Sequence, residues 1–171
     1  DDLDGGNWQR VFDFGNGPAT NNILLGQVEA TNTLRLEIYN GDNPSTLDVA
    51  DAIVEGETAL FSASVNESGF MSLYKNGLLI GSLQGVVPPD VDRNLELVGY
   101  SNWPDDSPLI GEVSSLVFTG NVDYPASDYT PVPTGLDFFA KATVHFDDLS
   151  AGAWQRVFDY GDGPASNNIL L

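Results

Sequence analysis

A short loop near position 100 holds the residue types that bind sugars or calcium. Residues 101–107 read Ser-Asn-Trp-Pro-Asp-Asp-Ser, and the candidate ligand-binding residues among them are Asn102, Trp103, Asp105 and Asp106. A Trp ring stacks on the apolar face of a sugar, while neighbouring carboxylates accept hydrogen bonds from hydroxyls or hold Ca²⁺. The alternative is structural, because Pro104 and the following Pro108 stiffen the loop and a Trp also packs over the end of its own fold.

Two further aspartates are candidate metal ligands. Asp13 and Asp159 each come at the end of an apolar run, directly before a glycine-rich turn. Such a carboxylate ligates Ca²⁺ together with loop carbonyls, or it accepts hydrogen bonds from the amides of the turn. Both interpretations stay open. Calcium is the only cofactor that the sequence suggests, and its candidate ligands are Asp13, Asp105, Asp106 and Asp159.

The composition excludes most other chemistry. The 171 residues include 25 acids against 6 Lys and Arg, one His and no Cys, and the formal net charge is −19. A surface of this charge repels phosphate, so we expect no nucleic-acid partner. Disulfides, cysteine-ligated zinc and histidine-based triads are excluded, and no apolar run approaches the length of about 20 residues that spans a membrane. Nothing selects a catalytic pair from the 25 acids, so we expect no enzyme activity.

An internal repeat gives the strongest signal in the chain. Residues 1–25 and 147–171 match at 19 of 25 positions without a gap, at an offset of 146. Trp8 and Arg10 recur as Trp154 and Arg156, which predicts the same role in both copies: an arginine paired with an acid or stacked on an aromatic ring. A period of this length indicates whole domains in tandem rather than a solenoid of short repeats.

The elements that must position these residues are β-strands. Short alternating runs bounded by Gly, Pro, Asn and Asp are typical of an all-β protein, and the sequence predicts a two-sheet antiparallel β-sandwich. Residues 47–54 are the single weak helix candidate. The predicted strands cover residues 8–14, 22–29, 33–39, 59–65, 69–75, 78–83, 94–100, 110–118 and 138–146.

The strand at 138–146 stands out because it directly precedes the second copy of the opening motif. The sequence therefore predicts three parts: a sandwich over 1–119 that lacks its opening strand, a linker over 120–136, and the opening strand and first hairpin of the next repeat over 137–171. The displaced strand completes the first sandwich either in its own chain or in a neighbouring one. The alternative is that a longer array has been cut at arbitrary points.

Three segments resemble the laminin-G-like, concanavalin A-like jelly-roll family of large bacterial surface proteins. Residues 8–17 (WQRVFDFGNG) are similar to its opening hairpin, and residues 72–80 (SLYKNGLLI) are similar to its central hairpin. Residues 94–106 and 110–117 are similar to its late Leu-Gly-x-Ser-x-Trp pattern. The resemblance implies a jelly-roll topology and permits calcium. It leaves function open, since the fold carries lectins, adhesion modules and spacers alike.

These observations together predict a non-catalytic tandem-repeat module of a large prokaryotic surface protein, exposed outside the cell. Its expected role is structural and adhesive, with fibre formation by strand exchange between units. The expected partners are neighbouring repeats or copies of the chain, joined head to tail. The alternative is a calcium-dependent carbohydrate-binding module, for which glycans are the partners.

Overall fold

The computed structural model describes residues 6–120 and 138–145. Within these ranges the chain forms strands and turns and no helix. The strands are β1 (Arg10–Gly15), β2 (Ile23–Gln27), β3 (Leu34–Asn40), β4 (Asn43–Val49), β5 (Thr58–Val65), β6 (Phe70–Lys75), β7 (Leu78–Gln84), β8 (Leu95–Val98), β9 (Glu112–Gly120) and β10 (Phe138–His145).

The strands form two five-stranded sheets. The first sheet has the order β4-β3-β2-β1-β8 and the second has the order β7-β6-β5-β10-β9. Every pairing is antiparallel. The prediction of an all-β, two-sheet antiparallel β-sandwich is therefore confirmed, while the jelly-roll topology stays a prediction.

The two sheets enclose one hydrophobic core. Alternation along the strands places apolar side chains on the inner faces, and the buried set includes Phe12, Phe14, Ile23, Leu25, Leu36, Ile38, Phe61, Val65, Met71 and Leu73. The rings of Phe12, Phe14 and Phe118 lie 5.1–5.9 Å apart between centroids. This aromatic contact joins β1 of the first sheet to β9 of the second.

The helix candidate at residues 47–54 is wrong. Asn43–Val49 is an edge strand that pairs with β3 over its whole length, from Asn40↔Asn43 to Leu34↔Val49. The local sequence does not predict this strand, because Pro44 and Asp48 are poor strand formers. An edge strand tolerates both residues, since one side of its backbone needs no partner.

Strand β10 lies inside the second sheet rather than at its edge. Its backbone pairs with β5 from Phe138↔Val65 to His145↔Thr58, and with β9 from Phe138↔Gly120 to His145↔Glu112. The chain from Gly120 to Phe138 and the segment beyond His145, with the second copy of the opening motif, lie outside the described residues. The three-part division at 119, 136 and 171 stays a prediction, and β9 itself extends to Gly120.

Candidate functional site

The outer face of the first sheet carries a cluster of buried and half-buried polar and aromatic side chains. We call it the outer-face cluster and define it as Trp8, Arg10, Asp13, Asn22, Arg35, Tyr39, Ser101, Asn102, Trp103 and Asp106. Asp13 and Asn22 are fully buried, and Arg10 is 4% exposed. The loop at 101–107 lies over these strands, and its contacts with Arg10, Asp13 and Tyr39 bury them.

A β-bulge determines that Arg10 faces outward. Strict alternation along β1 would place Arg10 on the same face as the core residue Phe12. The register shifts between them, because Arg10 lies opposite Gly26 while Phe12 lies opposite the adjacent Leu25. Gly26 has to be glycine here, since a Cβ would come within 2.9 Å of the Arg10 side chain and within 2.5 Å of the Gln9 carbonyl.

Arg10 lies at the centre of the cluster. Its Nη2 donates to Asp106 Oδ2 at 2.9 Å, and its guanidinium carbon lies 5.4 Å from the Trp8 ring and 5.6 Å from the Trp103 ring. Arg35 lies 5.2 Å from the same Trp8 ring. Cations at these distances are attracted to the negative ring face. The expectation that Arg10 pairs with an acid or stacks on an aromatic is confirmed, because it does both.

The ion pair of Arg10 and Asp106 is almost completely shielded from solvent. Their side chains are 5% and 11% exposed, and burial lowers the pKa of the Arg10 guanidinium although the carboxylates of Asp106, Asp13 and Glu37 act to raise it. Ser101 Oγ donates to the same Asp106 oxygen at 2.6 Å. Among the described residues, Arg10 Nε has no hydrogen-bond partner. Breaking the contacts of Arg10 would therefore leave a buried charged group without partners, which destabilises the fold.

Trp8 takes a strained backbone conformation to reach this cluster. Its φ of 60° lies in the left-handed region, which costs a bulky residue about 1–3 kcal/mol. Its N–H donates to the Glu29 carbonyl at 3.1 Å, and its ring lies between Arg10 and Arg35. These contacts offset the strain, which indicates that the position of the ring matters to the fold.

Asp13 holds the loop at 101–107 to the sheet. Its Oδ1 accepts from Asn22 Nδ2 at 2.8 Å and its Oδ2 accepts from the Asn102 N–H at 2.8 Å. Asn102 Nδ2 also donates to the Asp13 carbonyl at 3.2 Å. Each oxygen of this buried carboxylate thus has a protein donor. These donors are the Asn22 side chain and the Asn102 backbone rather than amides of the adjacent glycine-rich turn, and metal ligation by Asp13 stays a prediction.

The structure brings most of the predicted site residues together. Asn102, Trp103 and Asp106 meet Asp13 through the contacts described above, and Trp103 packs on Tyr39 with ring centroids 6.1 Å apart. Asp105 is exposed beside them. Asp159 lies outside the described residues. Within residues 6–120 and 138–145, no group of three or more acidic or histidine side chains is placed to hold a metal ion.

Sequence reasoning missed three members of the cluster: Asn22, Arg35 and Tyr39. Arg35 and Tyr39 alternate with the core residues of β3, so the local sequence indicates only that they face away from the core. Arg35 also makes two hydrogen bonds of 2.8 Å to Asp48 on β4. Nothing in the local sequence indicates that a loop some 65 residues later packs over this face.

Comparison with known proteins yields no relatives: no family model, curated protein or solved structure matches the chain. The laminin-G-like resemblance therefore rests on the three sequence segments alone. In the part of the chain that the structure describes, no helix is long and apolar enough to cross a membrane.

Glu96 on β8 gives a test of the electrostatics at the edge of the first sheet. Burial raises the pKa of its carboxyl above the ordinary 4.5, although Arg93 acts to lower it. The charged form is thus disfavoured in the folded chain, and native stability falls as pH rises through and above that value. We expect Glu96→Gln to increase the free energy of unfolding at neutral pH and to have no effect below pH 4.5.

Urea unfolding at a series of pH values measures this effect. Glu112→Gln is the matched control, because Glu112 is an exposed carboxylate at the start of β9 and its substitution makes the net charge less negative by the same amount. A gain for Glu96→Gln no larger than that for Glu112→Gln would contradict the burial argument.

Proposed function

We propose that the chain is a non-catalytic tandem-repeat module of a prokaryotic extracellular surface protein, in which successive units are joined by sharing strand β10. The proposed role is structural and adhesive, with fibre formation when the strand is exchanged between chains. One observation carries the proposal: the strand that directly precedes the second copy of the opening motif pairs inside the first sandwich, between β5 and β9.

The interior position of β10 supports strand sharing. The strand pairs along all eight of its residues with both neighbours. Without it, the second sheet would separate into β7-β6-β5 and an isolated β9. A sandwich therefore needs a strand in this position, and any unit that gives its strand away must receive one from elsewhere.

The connection between β9 and β10 is long enough for exchange. Gly120 and Phe138 are register partners, yet 17 residues, 121–137, lie between them. A hairpin needs about 2–5 residues for the same step. At about 3.3–3.6 Å per residue, this connection spans at most about 55–60 Å, whereas a domain of this size has a radius of gyration of about 14 Å. The segment is therefore long enough to carry β10 to an adjacent sandwich.

The acidic composition suits a protein built of crowded tandem units. The chain has no cysteine and a net charge of −19, and a charge far from zero keeps a protein soluble at high local density. Tandem copies place sandwiches close together, which raises the effective concentration of each donor strand.

Engineered cysteines test the proposal, since the natural chain has none. Ser115 and Thr143 lie opposite each other on β9 and β10, and opposed residues of an antiparallel pair approach closely enough for a disulfide. We expect Ser115→Cys/Thr143→Cys, refolded at high protein concentration and oxidised, to give a ladder of disulfide-linked chains on non-reducing electrophoresis. In dilute solution the same variant should close within one chain.

The single variant Ser115→Cys is the control, because one cysteine per chain forms dimers at most. If the double variant closes within single chains at every concentration, exchange between chains is contradicted. If no disulfide forms between the two positions, the placement of β10 is contradicted.

The second candidate is a calcium-dependent carbohydrate-binding module, favoured by the exposed Asp105 beside the half-exposed Trp103. It has less support, because Asp13, Asp106 and the Trp103 ring already have protein partners. Glycan binding that requires calcium and is lost in Asp105→Asn would favour this candidate over the structural one.

A further inference from the structure

Strand β7 presents an exposed apolar edge. It is the outermost strand of the second sheet next to β6, so one side of its backbone has no strand partner among residues 6–120 and 138–145. Leu78, Leu79 and Leu83 are 72%, 57% and 39% exposed, and Phe70 on β6 is 42% exposed. An exposed strand edge with apolar side chains is a ready template for another strand.

Each of the other three described edge strands carries a charged residue, whereas β7 carries none. Strand β4 contains Pro44 and Asp48, β8 has only four residues and contains Glu96, and β9 begins with Glu112. Charges, proline and short length are the usual means by which proteins prevent edge pairing. Strand β7, with the sequence LLIGSLQ, has neither a charge nor a proline.

The charge distribution indicates what pairs with this edge. No charged residue occurs between Lys75 and Asp90, in a chain whose net charge is −19. Two copies of such a chain repel each other wherever their acidic surfaces meet. The neutral segment 76–89 is a surface at which a second copy approaches without that repulsion.

We infer that β7 is a self-association edge, which pairs antiparallel with β7 of a second copy of this sandwich around a two-fold axis. The pairing joins two five-stranded sheets into one continuous sheet and covers the exposed leucines of both copies. It connects sandwiches side by side, whereas the proposed sharing of β10 connects them end to end. The two contacts use different strands, so either can exist without the other.

Sedimentation velocity on the full chain tests this inference. We expect a reversible dimer that is strengthened by added NaCl, because salt screens the repulsion between acidic surfaces. Leu79→Lys should raise the dimer dissociation constant by about tenfold or more, equal to about 1.4 kcal/mol. Leu95→Lys is the matched control, since Leu95 is a similarly exposed leucine on the edge strand β8.

A chain that stays monomeric at all concentrations, or a dimer that Leu79→Lys and Leu95→Lys weaken equally, would overturn the inference. A second measurement covers the case in which Leu79→Lys lowers stability. Ser82→Cys, on β7, should form disulfide-linked dimers on oxidation faster than Ser115→Cys on β9, both residues being exposed serines of the same sheet. Equal rates would show that the contact lies elsewhere. A negative result here does not affect the proposed sharing of β10, because the Ser115→Cys/Thr143→Cys assay measures the pairing of β9 with β10 instead.

Discussion

A chain that ends at residue 137 is expected to lose its cooperative fold. It lacks β10, so β5 and β9 lose their shared partner over all eight residues of that strand. The buried Val113 and Leu116 of β9 are then no longer held by a sheet against the core. The loss should be comparable to the whole stability of an ordinary domain, about 5–15 kcal/mol. Urea unfolding followed by circular dichroism should show no sigmoidal transition.

A chain that ends at residue 146 is the control, because it keeps β10 and should unfold cooperatively. A synthetic peptide of residues 138–146, added in excess, should restore the transition to the shorter chain. The same peptide with Ala142→Pro should not, since proline cannot donate to the ladder of an interior strand. If the chain that ends at 137 is as stable as the chain that ends at 146, β10 has no structural role and the proposed sharing fails with it.

Arg10→Met is expected to lower the free energy of unfolding by about 3–5 kcal/mol, because it leaves a buried carboxylate without its cation. Asp106 would keep only the Ser101 hydroxyl of the two side-chain contacts described above, and the guanidinium contacts with Trp8 and Trp103 would be lost. Methionine preserves most of the apolar length of the side chain, so the effect reports the charge and the ring contacts. Urea unfolding at neutral pH measures it.

Arg35→Met is the matched control on the same face. Arg35 also contacts the Trp8 ring, but its hydrogen-bonded partner Asp48 has a side chain that is 40% exposed. Its second ion-pair partner, the buried Glu37, lies farther away at 4.0 Å and keeps a hydrogen bond from the Thr46 hydroxyl. Exposed pairs contribute about 0–1 kcal/mol, so this variant should be much less destabilised. The double variant Arg10→Met/Asp106→Asn should recover part of the loss. Equal losses for the two arginine variants would contradict the burial argument.

The two predictions bear on different parts of the proposal. The first tests whether the strand that precedes the second motif copy is needed by the first sandwich, which is the basis of strand sharing. The second tests whether the outer-face cluster holds the loop at 101–107 against the first sheet. If Arg10→Met had no effect on stability while altering glycan binding, the cluster would be better explained as a ligand site.

Several features of the fold follow from local sequence. All nine predicted strands coincide with strands of the structure, because their alternating apolar residues require a sheet that is buried on one face. The Asn76-Gly77 turn joins β6 to β7 with φ values of 51° and 80°, because an Asn-Gly pair adopts the left-handed conformation that a two-residue hairpin turn requires. Strand β4 was not predicted, since its pairing depends on β3 beside it rather than on its own residues.

The candidate site was likewise predicted only in part from the sequence. The local sequence predicted Asn102, Trp103 and Asp106 as candidate ligand-binding residues, because unusual residue types lie close together in one short loop. The convergence of that loop with Asp13 and Arg10 was not predicted, although they are hydrogen-bond partners across 89 and 96 positions. Contacts between distant positions leave no local pattern in one sequence.

The sequence by itself determined that this protein is an all-β sandwich with an acidic surface, no thiol chemistry and a repeat of 146 residues. Composition and short-range periodicity are sufficient for those features. Only the tertiary structure decided that a bulge at Val11 directs Arg10 outward, and that β10 lies between β5 and β9. Both depend on hydrogen-bond register between strands, and register is set by which strands meet rather than by the residues of either strand alone.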